Sequence, residues 1–184
     1  TTSGATKEEC DAAYSTLAEA VEKANGAILT VEVGKYYYFV DTRGDNRGMC
    51  ANGSNLGWTA GFTMPDTPTD ANIANYIWKV EDAGEGNYYL KNYATGTYIG
   101  ANDGNVKLTA SPEQAYTLVY NTNNGNKVAG VFNINAAGSN NGLNSAGGNV
   151  VVWYSYSADN GNCWSATPVD DSVLSALEAF VELS

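Results

Sequence analysis

The chain carries one pattern three times. Met49-Cys50-Ala51-Asn52 returns fifty positions later as Ile99-Gly100-Ala101-Asn102, and Phe39-Val40-Asp41-Thr42 returns at the same shift as Tyr89-Leu90-Lys91-Asn92. A further shift of about forty-four sets Phe132-Asn133-Ile134 on Tyr88-Tyr89-Leu90 and Leu143 on Ile99. Self-similarity at such a period marks a repeat architecture, in which each copy buries its apolar face against its neighbours. The clearest copy is Tyr88 to Asn102. Tyr88, Tyr89 and Leu90, then Tyr98 and Ile99, are strand formers, and Ala94-Thr95-Gly96 supplies the turn between them.

Each copy adds two more strands to this hairpin. The first runs through Tyr36 to Val40, Met49 to Ala51, Leu56 to Thr59 and Ile77 to Val80, with a long loop from Gly61 to Ala74. The second uses Tyr88 to Lys91, Tyr98 to Ala101, Val106 to Thr109 and Tyr116 to Val119. The third uses Val131 to Ile134, Gly142 to Asn144, Val150 to Trp153 and Cys163 to Ala166. Twelve short strands in three groups can close into a barrel with a cap, and closure removes the edges that invite aggregation. A further strand is expected at Leu29 to Val33. The Tyr36-Tyr37-Tyr38 run places tyrosines on both faces of its strand, so at least one is expected at the surface.

Helices flank the strands. Thr6-Lys7-Glu8-Glu9 fits a capping box, and Cys10, Ala13, Leu17, Val21 and Ala24 follow at helical spacing until Asn25-Gly26. A second helix covers Ser172 to Val181, capped by Asp170 or Asp171, with Val173, Leu174, Leu177 and Val181 on one face. The expected organisation is a helical segment over 1–30, a β domain over 31–169 and a C-terminal helix over 170–184. The chain begins at Thr1 without Met, which points to a piece of a longer polypeptide whose flanking domains are partners.

Composition removes several functions. The net charge is −11 and only 16% of residues are charged. Nucleic acid and anionic membrane both require a basic stripe, so neither is an expected partner. No apolar run approaches a membrane span, so no membrane insertion is expected. The absence of His removes the commonest general base and metal ligand. Cys10, Cys50 and Cys163 lack metal spacing; they allow one disulfide, whose pairing is open, and leave one thiol over. Asp41, Asp45, Asp66 and Asp70 do not form a calcium loop. No G-x-S-x-G, phosphate loop or recognisable carboxylate pair is present. The chain is therefore expected to be no enzyme and to hold neither cofactor nor metal.

The fourth strand of each copy opens on a triplet: Tyr76-Ile77-Trp78, Gln114-Ala115-Tyr116 and Asn162-Cys163-Trp164. With the triplication, these resemble degenerate copies of the Q-x-W motif of the ricin-type β-trefoil lectins, over about residues 31 to 169. The resemblance implies an all-β fold, a β-trefoil of three four-strand repeats forming a closed barrel plus hairpin cap, here with short N- and C-terminal α-helices. It also implies non-enzymatic binding of a glycan or oligosaccharide at up to three shallow sites.

Carried over position by position, the resemblance places the family's acidic residue at Asn52 in repeat one, at Asn102 beside Asp103 in repeat two, and at Ala146 in repeat three, with Asn144 close by. The third-strand aromatic falls on Trp58 and Trp153, and Asn75 and Asn162 stand near the last position. An indole offers flat apolar area to the C–H face of a pyranose, and an amide serves adjacent hydroxyls. Trp78, Tyr116 and Trp164 read as barrel core, while Trp58 and Trp153 are open between cap packing and a sugar platform. Arg43-Gly44-Asp45 and the sequon Asn52-Gly53-Ser54 are short matches of low specificity. The expected function is that of a carbohydrate-binding accessory module of a larger protein, in an extracellular, periplasmic or cell-surface setting. The alternatives are a protein-interaction or inhibitor module using the Gly61 to Ala74 loop, or a non-binding spacer.

Overall fold

The computed structural model describes residues 6, 7, 10, 11, 13, 14, 16, 17, 31–65, 71–100, 105–120, 131–155 and 159–182. The chain forms two compact units, Thr1–Thr30 and Val31–Ser184. In the first, described residues 7, 10, 11, 13, 14, 16 and 17 are helical. The Cys10 N–H donates to the Thr6 carbonyl at 3.1 Å, and Lys7 pairs with Asp11 one turn on at 2.6 Å. Glu9 of the expected capping box, and Val21, Ala24 and Asn25-Gly26, lie outside the described residues.

Among its described residues, the second unit contains twelve strands and one α-helix. The strands are β1 (Tyr36–Asp41), β2 (Gly48–Asn52), β3 (Asn55–Thr59), β4 (Trp78–Gly84), β5 (Asn87–Asn92), β6 (Tyr98–Ile99), β7 (Leu108–Thr109), β8 (Tyr116–Tyr120), β9 (Val131–Ala136), β10 (Asn141–Asn144), β11 (Val151–Tyr154) and β12 (Trp164–Pro168); the helix, α1, is Asp171–Glu182. Six strands pair antiparallel in a ring: β1 with β4, β4 with β5, β5 with β8, β8 with β9, β9 with β12, and β12 with β1. The first and last strands therefore seal the barrel, in register from Tyr37↔Pro168 to Asp41↔Trp164.

Three hairpins, β2–β3, β6–β7 and β10–β11, stand off this ring. They join it at Val40↔Gly48, Lys91↔Tyr98 and Asn135↔Gly142; the hairpin positions Gly48, Tyr98 and Gly142 are related by the sequence shifts of fifty and forty-four. The hairpins also meet one another. The Leu56 N–H donates to the Val106 carbonyl at 2.9 Å, Val106 to Val150 at 3.1 Å, and Val150 back to Leu56 at 3.2 Å. This cyclic exchange between equivalent residues marks the pseudo-threefold axis and satisfies backbone groups that burial would otherwise strand.

The core follows from strand alternation. Phe39, Met49, Leu56, Val80, Leu90, Ile99, Ile134 and Leu143 point inward together with the triplet aromatics. Trp78, Tyr116 and Trp164 are fully buried. Each gives its polar hydrogen to its own repeat: Trp78 Nε1 to the Met49 carbonyl at 3.2 Å, Tyr116 Oη to Gly100 at 2.7 Å, and Trp164 Nε1 to Leu143 at 2.9 Å. Each burial contributes roughly 2–3 kcal/mol, and no donor is left unpaired.

One expectation is corrected, and two open points are decided. Val31 to Val33 form no strand: a turn closes there, with Gly34 at φ +87° and the Lys35 N–H on the Glu32 carbonyl. The Glu32 N–H goes to Tyr37 Oη at 2.8 Å, so strand pairing is pre-empted; Leu29 and Thr30 lie outside the described residues. The tyrosine run reaches the surface at Tyr36. Tyr37 enters the barrel, whereas Tyr38 packs with Ile77, Val169, Val173 and Leu177 in a second cluster beneath α1, and Tyr36 is half-buried. Helix α1 covers the face that alternation alone assigns to solvent. Finally, no disulfide joins the three cysteines: Cys50 and Cys163 are buried, Cys10 exposed. The Cys163 Sγ lies 3.2 Å from the Asp159 carbonyl and the Cys50 Sγ 3.8 Å from Thr59 Oγ1.

Candidate saccharide site

Repeat three brings its residues together. Across β10–β11 the pairs are Asn144↔Val151, Leu143↔Val152, Gly142↔Trp153 and Asn141↔Tyr154. Leu143 is in the core, so Asn144 and Trp153 share the opposite, outer face. Trp153 is 61% exposed. Its partner is Gly142, where a Cβ would collide with the Asn135 and Ser155 side chains. Asn144 and Asn162 are buried and hydrogen-bonded to each other. Asn144 Nδ2 also donates to Asp159 Oδ2 at 2.9 Å, which leaves its Oδ1 buried with no partner among the described residues. Asn162 Nδ2 reaches the Tyr154 carbonyl at 3.2 Å and so fixes the strand beside Trp153.

Asp159 is the residue that sequence reasoning missed. It opens the short 3-10 helix Asn160–Asn162, accepting from the Gly161 N–H at 2.9 Å. Its signal was Asp followed by Asn-Gly, a turn opener. It also accepts from Arg43 at 3.3 Å. Arg43, first residue of the Arg-Gly-Asp triplet, reaches Ser145 Oγ at 3.3 Å as well, so its guanidinium is committed within the fold. Ser145 Oγ donates in turn to Asp41, a buried carboxylate that also accepts the Arg43 and Arg47 N–H groups. Burial pushes the Asp41 carboxyl up from its ordinary value, while the hydrogen bonds from Ser145, Arg47 and Arg43 pull the other way.

Repeat one is built differently. Its register is Met49↔Trp58, Cys50↔Gly57, Ala51↔Leu56 and Asn52↔Asn55. Trp58 therefore shares the inward face of Met49 and Leu56, and Asn52 lies on the other. Trp58 packs against the core, gives its Nε1 hydrogen to the Asn149 carbonyl at 3.1 Å, and carries the Arg47 guanidinium 3.9 Å above its ring. Its register equivalents are Leu108 and Val152, while Trp153 is equivalent to Thr59 and Thr109. The two tryptophans thus occupy neighbouring positions of the third strand that face opposite ways. Asn52 is exposed at the hairpin tip. Asn75 is half-buried in the 3-10 helix Ala71–Tyr76, its carbonyl accepting from Asn92 Nδ2 at 2.8 Å. Asn102 and Asp103 lie outside the described residues. Among the described residues, no group of three acids or thiols gathers as a metal site, and no helix is long and apolar enough to cross a membrane.

A six-strand ring, three off-ring hairpins and a threefold axis define a β-trefoil. No protein-family model matches the chain, and no curated protein matches it. Solved structures do. A ricin B-like lectin of Macrolepiota procera, in complex with lactose, matches with TM-score 0.57 at 15% identity, over 74% of this chain and 97% of that one. A designed 3-fold symmetric protein matches at 0.54 and 21% identity, over 73% and 99%. A GlcNAcα1-4Gal releasing endo-β-galactosidase from Clostridium perfringens matches at 0.58 and 17% identity, over 74% of this chain but 33% of that one. The chain has the β-trefoil fold of the ricin B-like lectins, a fold that occurs in free lectins and within longer chains of enzymes.

Proposed function

We propose that this chain is a carbohydrate-binding accessory module, without catalytic activity of its own, in a larger secreted or cell-surface protein that it holds near glycan. The observation that carries the reading is Trp153, exposed on the outer face of β10–β11, the face that also carries Asn144. An exposed indole on a rigid strand supplies apolar area at small entropic cost. Asn162 positions it through the Tyr154 carbonyl. Asn52 and Asn75 serve as polar groups of a second subsite, and Asn102 and Asp103 of a third. Trp58 supports the cap under Arg47. A single site of this kind binds in the millimolar range, about 4 kcal/mol, and useful avidity comes from several sites or from tethering. The 33% share of the endo-β-galactosidase chain that the fold occupies is consistent with an accessory role.

A glycan array followed by calorimetry on wild type and Trp153→Ala tests this. The variant is expected to lose about tenfold or more in affinity, with stability unchanged to within about 0.5 kcal/mol because the side chain is exposed. Absence of binding to any polysaccharide at millimolar ligand, or equal binding by the variant, would refute it.

A further inference from the structure

A second feature lies on the outer wall of the barrel, where β1, β4 and β5 meet the β6–β7 hairpin. Four side chains stand abreast on four neighbouring strands. Tyr36 of β1 is opposite Lys79 of β4, Lys79 is opposite Lys91 of β5, and Lys91 is opposite Tyr98 of β6. The adjoining Val80↔Leu90 pair is core, so this row faces outward.

Two ammonium groups set directly across an antiparallel pair repel each other and weaken it. One carboxylate offsets this at Lys79. Glu81 lies 3.3 Å from Lys79 Nζ and also accepts from Tyr98 Oη at 3.1 Å. Lys91 Nζ stands 5.2 Å from the centroid of the Tyr98 ring. A chain with 20 acidic and only 9 basic residues has acids in excess, yet it sets two of its few lysines face to face, and the acid beside them pairs with Lys79. Beside them is a cleft of about 320 Å³ lined by Tyr36, Lys79, Glu81, Lys91, Tyr93 and Gly96. The Tyr36 and Tyr93 rings meet edge to face there, with centroids 5.5 Å apart. The cleft is wide enough for one sugar ring, and its lining offers two cations, one carboxylate already paired with Lys79, and aromatic carbon.

We propose that this cleft binds a saccharide bearing a carboxylate, of the uronic acid class. The carboxylate lies between Lys79 and Lys91 and relieves their repulsion. The C–H face of the pyranose rests on the Tyr36–Tyr93 pair. Lysines act here as point charges without the fork of arginine, so the aromatic pair, not the ion pairing, distinguishes a sugar acid from a bare anion. The site is independent of Trp153 and stands or falls separately from the cap site.

An NMR titration of the full chain with galacturonate, galactose and acetate, at low and high salt, decides the matter. Galacturonate is expected to shift the backbone resonances of Tyr36, Lys79, Lys91 and Tyr93, with affinity falling about tenfold in Lys91→Gln and in high salt. Trp153→Ala is expected to bind it as wild type does. Acetate shifting the same resonances with equal affinity would reduce the cleft to a charge pair and overturn the proposal; so would galactose binding as well as galacturonate, or Lys91→Gln binding unchanged. Thermal unfolding gives a second reading. Lys91→Gln is expected to be as stable as wild type or more so, because it separates opposed charges. A less stable variant would show that the lysines serve the fold and not a ligand.

Discussion

Trp58 and Trp153 show how much one position decides. Both are tryptophans on the third strand of their repeats, and composition cannot separate them. Register does: Trp58 stands opposite Met49 and Trp153 opposite Gly142. Since side chains alternate along a strand, a slip of one residue exchanges core for solvent. The repeat shifts carried this information, because fifty and ninety-four positions beyond Trp58 stand Leu108 and Val152. At the same scale Asp41 makes a prediction about pH. Burial raises its carboxyl in the folded state above the ordinary 3.8. The folded chain then holds this proton more tightly than the unfolded chain, so the stability it contributes is present below pH 3.8 and is lost as pH rises through the raised value. Urea unfolding of wild type and Asp41→Asn across the acidic range should show the variant gaining relative to wild type as pH rises. A difference that stays flat, or that runs the other way, would place the carboxyl at or below its ordinary value.

Among the elements, α1 changed the most from what local pattern implies. Its amphipathic face was legible from Val173, Leu174 and Leu177, but not the surface it covers. That surface is the outer side of β1 at Tyr38, with Ile77 and Val169. Tyr38 Oη is buried there with no hydrogen-bond partner among the described residues, and burial together with the Asp170 charge pushes its pKa up to about 12. An unsatisfied buried hydroxyl costs stability, so Tyr38→Phe should leave the protein unchanged or more stable by about 1 kcal/mol in guanidinium unfolding. A loss of that size would reveal a partner for the hydroxyl. The hairpins differ in the same way. β2–β3 turns its tryptophan into the cap, and β10–β11 displays its own, with Asn162 holding the strand from behind.

For the whole molecule, closure is the governing fact. β1 and β12 pair over five residues, so the ring cannot form until the last strand is in place. Non-local pairing of this kind slows folding, and refolding in the millisecond to second range is expected by stopped-flow fluorescence. The described core begins at Val31, and residues 31–184 form one compact unit. A chain of those residues alone should unfold in a single cooperative transition, followed by circular dichroism and tryptophan fluorescence together. Two separated transitions would contradict that unity.

The amino-acid order by itself determined the triplication, the twelve strand positions and the aromatic of each triplet that fills the barrel. These depend on alternation and spacing, which are local quantities. It could not show that Tyr38 is roofed by a helix, that Asp159 joins Asn144, or that Lys79 confronts Lys91 across two strands. The first joins residues far apart in the chain, which only the tertiary structure makes neighbours; the other two join nearer residues, whose partners are set by hairpin register and turn geometry that alternation does not specify.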